Sequence, residues 1–565
     1  MLLQKGPQVT TRVVFDTAFS ERRFAAERAR GGRLHYIAAA ALVSPVPPVP
    51  PAPPPLQAVW PLNVPGFHRV IVDDDVTLDL LVGALDAVLP EVDARVDAFH
   101  LHAAVTPPMV PALARLAAQG AVLHARAPDE ALVWALTAAG FACRIAGEQD
   151  IVAEYRGRKP RAAEPSPPPM MKRAVVIGAG VAGSAAAHRL CARGWQVTLI
   201  ERHGRPAQEA SGNQAGIFMP LLSRDDNIPT RLSRAAFLFA LREWRRMGGA
   251  GKVFDGADCG VLQLARDAKH ARVQRDVLAH WNYPQQYARW ADADEAGALI
   301  GAATPHGGWL FEQGGWARPA SLCEAMLDAC GERLQRRFHT EALTLKRVAD
   351  EWQVGDGDGA LIVQAPTVIL ACGASAGQLE QLAELPLSKL RGQVTHLPVD
   401  SAVPPPVLPL AVCREAYVTP PSGGIVCAGA TYDNDGDPAL RASSQLENLT
   451  RLAEIIPSEA VAALAHSAPL AGRVGFRCAA PDRLPLVGAV PDYQRAGRLE
   501  FLSDVPRHEG LHCLLGYASR GLIWAPLMAE LLVSRLEHTA PPLEATLADA
   551  LDPGRFLLKQ RRRQQ

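Results

Sequence analysis

Arg173-Ala-Val-Val-Ile-Gly178-Ala-Gly180-Val-Ala-Gly183 decides how this chain folds. The β-branched run 174–177 reads as a strand that ends at the first glycine, and 182–193 reads as an Ala-rich helix. A second short run, 196–200, reads as the next strand, with Glu201 directly after it. Together they predict a βαβ unit with a phosphate-binding turn. Gly178 permits the tight turn, Gly180 lets a pyrophosphate approach the backbone, and Gly183 lets helix and strand pack closely. The helix amino terminus then faces the phosphates. Glu201 stands where a carboxylate accepts hydrogen bonds from the adenosine ribose, which favours a dinucleotide without a phosphate on that sugar. FAD and NAD both satisfy this.

At 565 residues the chain exceeds what a single hydrophobic core serves, so roughly two to four domains are expected. Proline-dense stretches at 44–55 and 159–169 interrupt its first third. Proline fixes φ and removes a donor, so the second stretch predicts a semi-rigid spacer between domains. Ahead of it, 67–72, 96–101 and 120–124 read as strands and 109–118 as a helix, which suggests a small α/β domain. The expected organisation is a domain over 1–160, a linker over 161–171, a larger domain over 172–550 and a basic tail over 551–565. Gly355-Asp-Gly-Asp-Gly359 separates the runs 351–354 and 361–364. It is read as a hairpin turn, because glycine and aspartate suit positive φ and the carboxylates are too few to cage a metal.

Basic and acidic residues balance at 58 each, so the net charge gives no sign of a polyanionic partner. No uninterrupted apolar run is long enough to cross a bilayer. Ten scattered cysteines without a C-x-x-C pair, and no signal peptide, lead to the expectation of a reducing cytoplasm.

Downstream of Glu201, Glu209-Ala-Ser211-Gly212-Asn213-Gln-Ala-Gly216 forms a second small-residue loop, and Val368-Ile-Leu-Ala-Cys-Gly373-Ala374 a late strand ended by glycine. Near the carboxyl end stand Gly475-Phe-Arg477-Cys-Ala-Ala-Pro-Asp482-Arg-Leu-Pro-Leu-Val-Gly488 and Gly516-Tyr-Ala-Ser-Arg520-Gly521. A planar guanidinium fork binds a carboxylate in a bidentate manner, which makes Arg477 the first candidate for a substrate anchor. The competing reading is a structural arginine paired with an acid such as Asp482.

These segments resemble the D-amino-acid-oxidase-like family of FAD enzymes. The resemblance implies an α/β fold: an FAD-binding Rossmann-type domain interleaved with a mixed-sheet substrate domain. It also implies FAD as the cofactor, with Gly178, Gly180, Gly183, Glu201, Ser211, Gly212, Asn213, Gly216, Gly373 and Gly521 around it. Arg477 is implied as the carboxylate clamp, and Arg520 as a second substrate contact, one position away from where the smaller oxidases carry their basic residue.

Further segments narrow the resemblance: Cys259-Gly-Val-Leu-Gln-Leu264, Gly308-Trp-Leu310, Gly314-Gly-Trp316, Gln393-Val-Thr-His396 and Ala430-Thr-Tyr432. In order and spacing they are similar to the bifunctional family that completes 5-methylaminomethyl-2-thiouridine at the tRNA wobble position, from about residue 30 to the carboxyl end. What this implies is a flavin-dependent oxidation that converts the carboxymethylaminomethyl side chain of the wobble uridine to aminomethyl, with tRNA as substrate and Tyr432 joining the two arginines. The flavin accepts a hydride from the carbon beside the amine and the imine hydrolyses, so no catalytic acid or base is assigned.

In that family the amino half methylates the resulting amine with S-adenosylmethionine. Such a domain needs a glycine-rich loop after its first strand, yet Val13-Val-Phe-Asp16-Thr-Ala-Phe-Ser20 has no glycine. The ribose-binding acid expected after His35-Tyr-Ile37 is replaced by alanines, and His102-Ala-Ala-Val-Thr106 stands in place of the family's Asp-Gly-Phe-Ala-Pro. The amino half is therefore expected to be a truncated, degenerate methyltransferase-like α/β domain. His100 and His102 are not read as a metal pair, and no metal site is expected.

Basic residues gather at Arg156, Arg158, Lys159, Arg161, Lys172 and Arg173, and again at Lys559 and 561–563, where tRNA phosphates are one use and plain solvation the other. Three rival readings stand beside the main one: a bifunctional enzyme that still methylates, a free amino-acid oxidase of the glycine or sarcosine type, and a non-catalytic RNA-binding protein with a vestigial flavin site.

Overall fold

Strands buried on both faces read as continuous apolar runs, and the two sheets that organise this chain are built from such strands. The computed structural model describes every residue apart from 1–10, 41–55, 57–58, 103–104, 147–149, 158–170, 402–403, 458, 465–469, 496 and 565. Both proline-dense stretches, with Arg158, Lys159 and Arg161, lie outside the described residues. Among those described, no helix is long and apolar enough to cross a membrane. The chain divides into two compact units, residues 1–168 with 534–548, and 169–533 with 549–565.

The first unit is built on an eight-stranded sheet in the order Gly66–Ile71, Val76–Val82, Leu34–Ala40, Arg12–Asp16, Val96–Leu101, Ala117–Ala125, Ile151–Tyr155 and Phe141–Ile145. The five inner strands run parallel, and the pairings at both edges are antiparallel. Successive residues alternate between two cores: Val14, Tyr36, Leu80 and Ala98 face one, and Phe15, Ile37, Leu81 and Phe99 the other. The strand order reverses between Arg12–Asp16 and Val96–Leu101, which makes the carboxyl ends of these two strands the topological switch point.

Residues 534–548 count with this unit, whereas the sequence reading carried the larger domain to residue 550. The physical tie is Arg69. Its guanidinium is fully buried and donates to Ser534 Oγ (3.0 Å), to the Ala540 carbonyl (2.7 Å) and to Asp79 (2.9 and 2.7 Å). Nor are residues 551–565 a separate tail. Residues 549–565 belong to the second unit, where Arg555–Gln564 is helical and Leu551 O accepts from Val487 N (2.8 Å).

The second unit has a six-stranded sheet in the order Leu334–Arg337, Gln196–Ile200, Arg173–Ile177, Thr367–Leu370, Arg507–Leu515 and Leu486–Pro491, parallel except for the last pair. Its order reverses between Arg173–Ile177 and Thr367–Leu370, so the crevice lies beyond Ile177 and Leu370. The helix Val181–Ala192 follows the first of these strands, as the glycine spacing predicts. A mixed eight-stranded sheet carries the substrate-side elements, including Ser388–Pro398, Ile425–Gly429 and Gly472–Ala479. The strands Glu351–Gly355 and Leu361–Ala365 pair antiparallel, and the turn between them is closed by Asp356 Oδ1, which accepts from Asp358 N (3.0 Å) and Ala360 N (2.8 Å).

Candidate active site

A cavity of about 470 Å³ opens at the switch point of the second unit. At one end it is lined by Gly178, Gly180, Val181, Glu201, Ser211 and Asn213, and it continues past Gly216, Gly373 and Gly521 to Tyr432, Arg477 and Arg520. Local sterics explain the glycines. Gly178 sits at φ +102°, and a Cβ there would lie 2.6 Å from the Ala371 carbonyl oxygen. At Gly183 a Cβ would overlap the carbonyl oxygen of Gly178. That glycine packs the helix onto the turn and does not line the cavity.

The residues present fit a dinucleotide. Gly180 caps the helix Val181–Ala192 without a side chain, so the first-turn amides keep a face free for phosphate, aided by the helix dipole. Ser211 Oγ accepts from Val181 N (3.2 Å), which fixes the second loop against this turn. Glu201 accepts from Ala179 N (2.8 Å) and His203 N (3.0 Å), one bond on each carboxylate oxygen. A carboxylate offers about four acceptor sites, so roughly two remain for ribose hydroxyls. Gly212 lies just behind the wall: a Cβ there would overlap the Arg473 guanidinium, which donates to the carbonyls of Gln208 and Glu209.

Chemistry at the far end is cationic. Arg477 Nη1 donates to the Thr431 carbonyl (3.1 Å), and its guanidinium carbon lies 4.2 Å from the centre of the Tyr432 ring. Gly392 makes room for it, because a Cβ at that position would overlap the guanidinium. Arg520 lines the same end, and burial pushes its guanidinium down from its ordinary value. Among the described residues no carboxylate pairs with Arg477 or Arg520. A cation without a charged partner favours an anion beside it. The cavity cysteines do not supply a nucleophile: burial pushes the thiols of Cys372 and Cys413 up to about 12, which keeps them protonated at neutral pH.

The switch point of the first unit is arranged differently. Asp16, at the carboxyl end of the central strand, is fully buried and accepts from Ala18 N (3.1 Å), Arg23 Nε (2.8 Å) and Tyr36 OH (2.5 Å). Burial and the Asp16 charge push the Tyr36 hydroxyl well above its ordinary range, so it stays a donor. Phe19 packs beside them, its ring 5.4 Å from Trp60 and 6.5 Å from Tyr36. His100 and His102, two apart on extended chain and so on one side, face different acids, Glu27 (3.2 Å) and Asp16 (3.3 Å). Residues 103 and 104 of the altered methyl-transfer segment lie outside the described residues.

The cavity thus gathers Gly178, Gly180, Glu201, Ser211, Asn213, Gly216, Gly373, Gly521, Tyr432, Arg477 and Arg520, while Gly183 and Gly212 act from behind its wall. Sequence reading missed Arg473, Gln263, Met219 and Arg414, which meet the site only through tertiary pairing. Two of the basic positions have partners within the chain: Lys172 Nζ donates to the Arg193 carbonyl (3.1 Å), and the exposed Arg173 pairs with Glu351.

Comparison with known proteins is consistent with this geometry. Residues 173–535 match the family described as FAD dependent oxidoreductase. The chain is 42% identical over 534 residues to the tRNA 5-methylaminomethyl-2-thiouridine biosynthesis bifunctional protein MnmC of Burkholderia thailandensis, covering 90% of this chain and 81% of that one. It is 43% identical over 519 residues to the MnmC of Azoarcus sp. (strain BH72), covering 89% and 80%. Among solved structures, glycine oxidase from Geobacillus kaustophilus superposes with a TM-score of 0.55 at 19% identity, covering 68% of this chain and 99% of that one. Iminodiacetate oxidase from Chelativorans sp. BNC1 superposes with a TM-score of 0.52 at 24% identity, covering 65% and 95%. These two likenesses show the fold.

Proposed function

The chain belongs to the FAD dependent oxidoreductases and, within them, to the MnmC family, and from that premise we propose that it oxidises the carboxymethylaminomethyl side chain of a tRNA wobble uridine to aminomethyl. The observation that carries this reading is one continuous cavity that joins the dinucleotide turn at Gly178 to Arg477 and Arg520, two guanidiniums that no carboxylate pairs among the described residues.

Arg477 holds the substrate carboxylate, and Gly392 gives it the space to do so. Gly178, Gly180 and the first-turn amides hold the pyrophosphate of FAD, Glu201 its ribose, and Gly373 and Gly521 leave room along the cavity. Bound FAD supplies the two-electron acceptor for the C–H bond beside the amine. Loss of that hydride from the carboxymethyl carbon gives an iminium, and water then adds to it and releases that carbon unit as an oxo-acid, which leaves the aminomethyl amine. The carboxylate anchor and the walls of the cavity orient the bond to be broken, so a dedicated acid or base is not needed.

The same reading makes the first unit inactive in methyl transfer. Asp16 is saturated by its own neighbours, and Phe19 and Tyr36 fill the space beside it at the switch point. The product released is then the primary amine, and we place the enzyme with its RNA substrate in the cytoplasm.

The test is to mix the flavin-loaded protein anaerobically with tRNA bearing the carboxymethylaminomethyl wobble base, and separately with glycine and with sarcosine. Bleaching of the flavin by the tRNA at micromolar concentration is expected. Bleaching by free glycine or sarcosine alone would move the function to the amino-acid oxidases.

A further inference from the structure

Tyr432 is an exposed aromatic, with 51% of its surface open, whose two chain neighbours are both held by hydrogen bonds to one strand. Arg391, fully buried, is the centre of the clamp. Its backbone exchanges two hydrogen bonds with Asp433 (2.9 and 3.0 Å), and its side chain donates to Asp433 Oδ2 (3.1 Å) and to the carbonyls of Asp437 (2.8 Å) and Ala439 (2.5 Å). On the other side of Tyr432, Thr431 N donates to the Gln393 carbonyl (3.2 Å), and Thr431 Oγ1 accepts from Gln393 N (3.1 Å). Both chain neighbours of an exposed aromatic are thus pinned to one strand by a buried polar network. Such a network stabilises only when fully satisfied, and here it fixes a ring that contributes little to any core.

The ring stands at the cavity rim with the Arg477 guanidinium 4.2 Å from its centre. One side is taken by the cation and the open part of the ring remains. We infer that Tyr432 is the stacking platform for the wobble uracil itself, extruded from the anticodon loop, so that a base–tyrosine–arginine stack forms while the side chain of the base reaches past the ring to Arg477. This rests on the tRNA reading above. Single-stranded RNA bases are typically held by stacking on fixed aromatic side chains, whose flat faces suit any base. The arm from uracil C5 to the carboxylate carbon is four bonds, roughly 5 Å, by ordinary bond lengths. Together with a carboxylate–guanidinium hydrogen bond it spans the thickness of the ring. A preformed rigid platform also lowers the ordering cost of binding.

The experiment compares wild type, Tyr432→Phe, Tyr432→Trp and Tyr432→Leu in steady-state oxidation of the modified tRNA, together with perturbation of the bound flavin spectrum by sarcosine, which carries the carboxylate and amine without a base. Stacking on an aromatic is worth about 1–3 kcal/mol per base, which corresponds to roughly a 5- to 150-fold rise in KM for tRNA in Tyr432→Leu. The loss on tRNA should exceed the loss on sarcosine by about fivefold or more, and Phe and Trp should restore most of it. Equal losses on both ligands, or a Leu variant with wild-type KM for tRNA, would overturn the platform. A wild-type enzyme that ignores tRNA altogether would instead overturn the reading on which it rests.

Discussion

Arg555 grips Asp482 with two nitrogens, Nε at 2.9 Å and Nη2 at 3.0 Å. The acid named as the structural partner of Arg477 is thus engaged elsewhere and Arg477 lines the cavity, which supports the proposal that it anchors the substrate carboxylate. Arg477→Ala should therefore leave flavin binding intact and lower kcat/KM for tRNA. Hydrogen bonds to charged groups contribute about 1.5–3 kcal/mol, which is roughly a 10- to 150-fold loss. Arg477→Lys should recover little, because a point charge lacks the fork. Steady-state kinetics with flavin absorbance per chain checks both; a variant with wild-type kcat/KM would remove Arg477 from the substrate.

Gly183→Ala is expected to abolish flavin retention. Its Cβ would overlap the Gly178 carbonyl, backbone that cannot move without opening the turn that holds the phosphates. A purified variant as yellow as the wild type would show that the helix can shift without cost. Gly357, with only a methyl of Leu343 at 3.4 Å, is the control position: Gly357→Ala should bind flavin normally.

Asp79 and Arg69 form a buried pair in the first unit. Asp79→Ala leaves the guanidinium charge unpaired in the core, which costs about 3–5 kcal/mol, and should lower the midpoint of thermal unfolding of that unit. The pair also sets an acid dependence. Burial alone would raise the Asp79 carboxyl, but the charges of Arg69 and His35 outweigh it and hold it below the usual carboxylate range. A depressed folded value means that the stabilisation is fully present above the ordinary pKa of about 3.9 and is lost as pH falls below it. Circular dichroism against pH should show a shallower acid dependence in Asp79→Ala than in wild type; parallel curves would contradict this.

Calorimetric titration with S-adenosylmethionine should show no binding in the micromolar range, because the Asp16 carboxylate is already saturated by Ala18 N, Arg23 and Tyr36. Micromolar binding would mean that a methyltransferase site survives without its glycines.

The parts legible in the sequence were those with local physical causes. The turn at Gly178, Gly180 and Gly183 was readable because the glycine spacing sits between a local strand pattern and a local helix pattern, and Gly183 answers the Gly178 carbonyl within the same turn; the hairpin around Asp356 was readable because one carboxylate closes it. The absence of glycine between Val13 and Ser20 was readable too, but not what replaced it, since Tyr36 reaches Asp16 from the neighbouring strand. The assignment of 534–548 to the first unit depends on Arg69 meeting Ser534, 465 positions away, and no local pattern encodes that. The Arg391 clamp behind Tyr432 was hidden for the same reason: it joins a strand residue to carbonyls more than forty positions later.

The most direct test of the whole account is nucleoside mass spectrometry on tRNA carrying the carboxymethylaminomethyl wobble base, incubated with the flavin-loaded protein with and without S-adenosylmethionine. The aminomethyl nucleoside is the expected product in both samples, with no methylated nucleoside when the methyl donor is added. Methylated product would contradict the inactive first unit, and tRNA left unchanged in both samples would contradict the assigned reaction.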